Sequence, residues 1–164
     1  MTYTIFLSAQ SELVVNTYVD STQRAPAIAR DAIGNYIIVW KSINQISSTS
    51  KGDIFFQRFN SSHQCIGGET IVNTFTNGEQ DKPAVAMNGN GDFVVVWSSY
   101  TNRDSMYDIK ARLFKNSIPL GNEFIVNSFI PNSQTNPRVD IDESGKFIIA
   151  WDSWYQDGDR KSVV

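Results

Sequence analysis

The chain is poor in the residues that most short catalytic, metal and redox motifs require. Of its 164 residues one is a cysteine, Cys65, and one is a histidine, His63. A lone cysteine excludes an intramolecular disulfide and a cysteine-built zinc site, and Cys65 reads as a small core or edge residue. His63 lies in a polar stretch, so a Ser-His-Asp or metal-histidine scheme would rest on one unrepeated side chain with no visible partner. Long apolar runs are also missing. FVVVW at 93–97 is among the longest, which is strand-sized and far short of the roughly 20 residues that cross a bilayer as a helix. No membrane span is expected. Charge of one sign never clusters: the net charge is −3, and no run of lysine and arginine could track a phosphate backbone. Nucleic acid is therefore not an expected partner. The opening MTYTIFLSAQ lacks a basic n-region, and its apolar run is shorter than that of a signal peptide. An export signal, if the protein carries one, is expected outside these residues.

What is present is a globular composition, 41% apolar and 12% aromatic, in a length that suits one domain spanning 1–164. Within it the sequence says nearly the same thing three times: PAIARDAIGNYIIVW at 26–40, PAVAMNGNGDFVVVW at 83–97 and PRVDIDESGKFIIAW at 137–151. Asn16, Asn73 and Asn127 each precede Pro26, Pro83 and Pro137 by ten residues, and Gln23, Gln80 and Gln134 precede them by three. Gly34, Gly91 and Gly145 follow the proline by eight, and Trp40, Trp97 and Trp151 by fourteen. The repeats run over 12–68, 69–122 and 123–164, with steps of 57 residues (Pro26 to Pro83) and 54 (Pro83 to Pro137). Fixed offsets at so many positions in three copies define a repeat architecture.

Each copy offers four strand-like runs, in the order PAVAM, DFVVVWS, DIKARLF and EFIVNS, with no helical period. The first connection carries Asp or Asn at its first position and glycine at its fourth, which suits a type I turn closed by a glycine at positive φ. The first two runs are therefore a hairpin. The second run is apolar at successive positions, as in a strand buried on both faces. A sheet of about 55 residues cannot cover such a strand by itself, so neighbouring copies must pack on either side. The expected fold is all-β: a β-propeller of four-stranded antiparallel blades at 26–74, 83–128 and 137–164, the last incomplete. About two and a half blades cannot close a ring of the usual 4–8. Further blades of the same chain, or other copies of it, are expected to complete it, with a fragment of a longer chain as the favoured reading.

The pattern P-x-V-A, D-x-x-G-x-F-V-V-V-W-x-S, D-I-x-x-Q-R-F and G-x-E-x-I-V-N-T resembles tandem repeats of large secreted or surface-attached bacterial proteins, and more distantly the blades of sialidase-like propellers. The sialidase Asp-box, S-x-D-x-G-x-T-W, is not reproduced. The resemblance implies an extracellular or cell-surface location and a non-enzymatic role in adhesion or in carbohydrate or protein binding. A fragment of a sialidase-like glycoside hydrolase and a purely structural spacer are the alternatives.

In such a blade the connections two-to-three and four-to-one share one face and carry the variable segments, where binding usually resides. Tyr100, Trp154 and Tyr155 fall there and are the candidate ligand-binding residues, with rings suited to stacking on a sugar or to capping the blade. Trp40, Trp97 and Trp151 read as inter-blade core. The repeated asparagines and glutamines read as side-chain to backbone ties of the crossing loops. Catalytic residues are not expected. Arg30, Arg58, Arg103, Arg112 and Arg138 occupy dissimilar positions, and no pair of carboxylates is marked out for glycoside hydrolysis. No cofactor is expected. Calcium is conceivable at QDGDR (156–160) or DIDESG (140–145), but neither has a recognised ligand spacing, and solvated turns are preferred.

Overall fold

A computed structural model of the protein describes residues 12–48, 50–101, 106–129, 131–156 and 162–163. They form three antiparallel sheets in chain order. The first contains β1 (Gln23–Arg30), β2 (Tyr36–Ser42), β3 (Asp53–Phe59) and β4 (Cys65–Ile71), paired in that order. The second contains β5 (Gln80–Met87), β6 (Phe93–Thr101) and β7 (Met106–Lys115). Its last strand is split into β8 (Ile118–Pro119) and β9 (Phe124–Ile125), both paired with β7. The third contains β10 (Gln134–Ile141), β11 (Phe147–Ser153) and β12 (Ser162–Val163). No sheet closes on itself among the described residues, and these residues contain no helix long and apolar enough to cross a membrane.

The hairpin turns form as their residues dictate. Gly34, Gly91 and Gly145 have φ of 89°, 83° and 84°. The leading Asx side chain caps each loop: Asp31 Oδ1 accepts from the Ile33 and Asn35 amides, Asn88 Oδ1 from Asn90 and Asp92, and Asp142 Oδ1 from Ser144 and Lys146. Val163 pairs opposite Asp152 as Ile109 pairs opposite Ser98, so the third copy keeps the register of the second. Cys65 is exposed at the start of β4.

Two sequence expectations need correction. The first strand of each sheet does not open at proline but three residues earlier, at Gln23, Gln80 and Gln134, each opposite a serine: Ser42, Ser99 and Ser153. The proline instead follows a residue at positive φ, Ala25 (54°), Lys82 (52°) or Asn136 (56°), where the register with the second strand shifts. These are β-bulges, and a periodicity argument cannot see them because the bulge leaves the apolar pattern intact. The glutamines also do more than tie loops to backbone. Their Oε1 atoms accept the indole N–H of Trp40, Trp97 and Trp151 at 3.1, 2.9 and 3.0 Å. Trp97 is fully buried, Trp40 nearly so, and Trp151 half-buried.

The sheets pack face to face through their first strands, with β5 between β1 and β10. One core lies between the first and second sheets, where Ile37, Val39, Ile54 and Phe56 meet Val85, Phe93, Val95 and Trp97. Phe56 inserts edge-on against the stacked pair Phe93 and Phe114, at 5.4 Å from each centroid. The second core sets Ala84, Ala86, Val94 and Val96 against Val139, Ile141, Phe147 and Ile149. β6 is thus buried on both faces, as its continuous apolar run requires. The outermost faces lack such cover: Ile28 on β1 is 65% exposed and Ile148 on β11 is 73% exposed.

The repeated asparagines anchor the chain as it leaves one sheet for the next. Asn73 Oδ1 accepts the Ile54 amide at 2.7 Å, and its Nδ2 donates to Asp53 Oδ1 and to the Phe75 carbonyl. Asn127 repeats all three bonds with Ile109, Asp108 and Phe129. Asn16, before the first sheet, keeps the bond to the Tyr18 carbonyl at 2.7 Å. The next residue then donates its amide to a glutamate of the following copy: Thr17 to Glu69, and Thr74 to Glu123.

Candidate functional site

At the ends of the strands opposite the hairpin turns, a cleft of about 580 Å³ opens between the second and third sheets, within the range typical of small-ligand sites. Four segments build it. Lys82 comes from the β5 bulge, Met106 and Tyr107 from the start of β7, Asn132, Ser133, Thr135 and Asn136 from the approach to β10 and its first residues, and Asp152, Trp154 and Tyr155 from the end of β11 and the chain just after it.

Local bonds fix these groups. The Trp154 amide donates to the Ser133 carbonyl at 3.2 Å, and the Tyr107 amide to Ser133 Oγ at 3.4 Å, so one serine ties both aromatic walls. Asn136 Nδ2 donates to Asp152 Oδ2 at 2.7 Å. Asn132 and Tyr155 have φ of 64° and 59°, backbone that departs from the strand and directs the chain around the rim. Trp154 and Tyr155 are 37% and 49% exposed.

Of the candidate binding residues, Trp154 and Tyr155 are brought together on this cleft. Tyr100 does not line it. It lies behind Tyr107, edge-on at 5.5 Å between ring centroids. Tyr107, Asn132, Asn136, Asp152 and Lys82 escaped sequence reasoning because no motif links them. A bulge residue and a residue that follows the repeated tryptophan are ordinary strand positions until two sheets meet.

Behind Tyr107 lies a charged cluster at the junction of the first and second sheets. Its hydroxyl donates to Glu79 Oε2 at 2.7 Å. Glu79 also receives the ammonium of Lys41, a lysine with no exposed side-chain surface, and the Arg24 guanidinium at 3.3 Å. Asp81 lies 3.5 Å from the same ammonium. Partial burial pushes the Glu79 carboxyl up, but hydrogen bonds from Lys41 and Tyr107 and the charges of Lys41 and Arg24 outweigh it. The carboxyl is held below its ordinary range. Burial, then the bond to Glu79, push the Tyr107 hydroxyl well above the usual tyrosine value. An anchored carboxylate beside a phenol that resists ionisation orders the site but is poorly matched to proton transfer near neutrality.

His63 sits elsewhere, its Nδ1 at 3.0 Å from the Tyr36 hydroxyl on the outer face of the first sheet. In the DIDESG segment, hydrogen bonds from the Ser144 hydroxyl and the Lys146 amide hold Asp142 below the usual carboxylate range, so that carboxylate is the cap of its own turn. The 157–160 part of QDGDR lies outside the described residues. Among the described residues, no histidine, cysteine and carboxylate group gathers as a metal site.

No known family model matches the sequence, and no curated protein matches it. Its structure is similar to that of an endo-arabinase from Bacteroides thetaiotaomicron VPI-5482, with a TM-score of 0.54 at 18% identity. The likeness covers 90% of this chain and 56% of that one, so this chain spans little more than half the length of its structural neighbour. At that identity the likeness concerns the fold.

Proposed function

We propose that the chain is a segment of a β-propeller in an exported or surface protein, and that it binds carbohydrate non-catalytically through the cleft between its second and third sheets. Three consecutive antiparallel sheets built on one repeated pattern, the third with three strands among the described residues, pack through their first strands with two outer faces uncovered and support the propeller reading. The observation that carries the binding reading is the lining of the cleft. Trp154, Tyr155 and Tyr107 offer ring surfaces for the apolar face of a sugar. Asn132, Asn136, Asp152 and Lys82 offer donors and acceptors for its hydroxyls. Asp152 is the one carboxylate among the described lining residues and is already bonded to Asn136. A glycosidase needs a pair of them.

A second reading, a segment of a glycoside hydrolase, draws on the likeness to the endo-arabinase; its chemistry would sit on parts of the protein other than this cleft. A glycan array followed by titration calorimetry tests the first reading. Binding of a glycan that weakens about tenfold or more in Trp154→Ala, the scale of a lost aromatic anchor, supports it. No binding, or binding indifferent to Trp154→Ala, refutes it, and turnover of arabinan or another glycoside would favour the second.

A further inference from the structure

The cleft is not isolated. A second groove of about 400 Å³ runs along the line where the first strands of the three sheets meet, and Lys82 and Asn136 line both. Pro26, Pro83, Ala84, Ala25, Arg138 and Val139 are among its other lining residues.

The backbone shows how these residues come to face it. Ala25, Lys82 and Asn136 each precede a proline, which normally drives the residue before it into extended conformation. All three instead take positive φ, at 54°, 52° and 56°, and at each the pairing register slips. Such a conformation costs on the order of 1–3 kcal/mol per residue and persists only where the surroundings impose it. Here it occurs at the same point of every copy, and all three residues line the one groove. The bulge peels one side chain per sheet out of the ladder and re-aims it. The residue so displayed differs in each copy, alanine, lysine and asparagine, while the proline after it is constant.

We infer that the cleft and the groove form one continuous channel for a linear saccharide of several rings, with Lys82 and Asn136 at the saddle between two subsites. This rests on the carbohydrate reading of the cleft and adds chain length to it. The aromatic cleft takes one end of the ligand. The prolines and alanines that line the groove take the apolar faces of further rings, and the ammonium, amide and guanidinium of Lys82, Asn136 and Arg138 meet their hydroxyls.

Calorimetric titration with fragments of arabinan, cellulose and galacturonan, graded from monomer to hexamer, tests the channel. In at least one series the hexamer should bind about tenfold or more tighter than the dimer, a difference calorimetry resolves readily. Ala25→Phe, which plugs the groove, and Arg138→Ala, an exposed residue that lines the groove and not the cleft, should each remove that preference and leave dimer affinity unchanged. Trp154→Ala should weaken short and long ligands alike. Equal affinity for dimer and hexamer would overturn the channel while leaving the cleft reading intact, as would a hexamer preference that survives both groove variants. Failure of all three series to bind at any length would overturn the channel, and the cleft reading would fall with it only if the glycan array is also negative.

Discussion

Replacing Asn73 by alanine tests whether the repeated asparagines hold the sheets to the chain that joins them. The side chain is 1% exposed and serves three partners, two of which, Ile54 and Asp53, belong to residues with no exposed surface. Its loss leaves a buried amide, one bond of a buried carboxylate and a carbonyl without their partner. Each buried unsatisfied group costs about 1–3 kcal/mol, and more where it is charged. The three share one cavity and do not add independently, so about 3–5 kcal/mol is expected in total. Asn127→Ala should cost a similar amount, because its three bonds are the same. Asn16→Ala, which removes the bond to the Tyr18 carbonyl, should cost about 1 kcal/mol or less. The assay is urea unfolding, with the midpoint shift read at unchanged slope. Asn73→Asp adds a sign. It keeps the acceptor for the Ile54 amide but sets a carboxylate where Nδ2 met Asp53 Oδ1 at 2.8 Å. Two facing carboxylates hold a proton more tightly than the unfolded chain does. The deficit should therefore be full at neutral pH and shrink as pH falls through the raised folded value. An Asn73→Ala cost within 1 kcal/mol of zero, or equal to that of Asn16→Ala, would refute the reasoning.

Two further outcomes follow from the sheet junctions. Phe56→Ala removes a ring that is 2% exposed and wedged against Phe93 and Phe114; about 3–5 kcal/mol should be lost in urea unfolding, whereas a cost below about 1 kcal/mol would mean that the first two sheets are not packed as described. Because the folded Glu79 carboxyl lies below its ordinary value of 4.5, its contribution is present above that pH and lost as pH falls through the folded value. Glu79→Gln should flatten the acid limb of the thermal-stability profile between those values, and an unchanged limb would show that the Lys41 and Tyr107 contacts do not act on stability.

The repeat made the sheets legible. Its offsets located the hairpin of every copy, and the unbroken apolar run of the second strand marked the two-faced burial of β6. Those features depend on interactions within a dozen residues of each other, or on burial that shows as an unbroken apolar run. The bulges before Pro26, Pro83 and Pro137 were not legible, because positive φ before proline runs against local preference. Nor was the partnership of each glutamine with a tryptophan 17 residues on, since a buried indole does not announce which side chain it will meet. Tyr100 was drawn toward the site by its place after Trp97, yet the described contacts give that place on the cleft wall to Tyr107.

The two junctions hold unlike residues at equivalent positions. The residue after the repeated tryptophan is Lys41 in the first copy and Ser98 in the second, and the residue before the repeated glutamine is Glu79 in the second copy and Ser133 in the third. Across the first junction these positions hold a lysine and a glutamate, whose ion pair, with Tyr107 and Arg24 bonded to it, occupies the space between the sheets. Across the second junction both positions hold serine, too short for such a pair: Ser98 is buried, and Ser133 stands in the wall of the cleft. The same scaffold thus carries a closed electrostatic seam on one side of its middle sheet and an open, aromatic-rimmed site on the other. The difference lies in two pairs of side chains and in the backbone of the middle sheet, where β6–β7 pairing runs on to Thr101 and Met106 while β2–β3 pairing ends at Ser42 and Asp53. A repeat search weighs only what the copies share, so it passes over the positions where a site is made. Those positions are found by asking which shared places hold unlike residues, and then which of these the packing of adjacent sheets brings face to face.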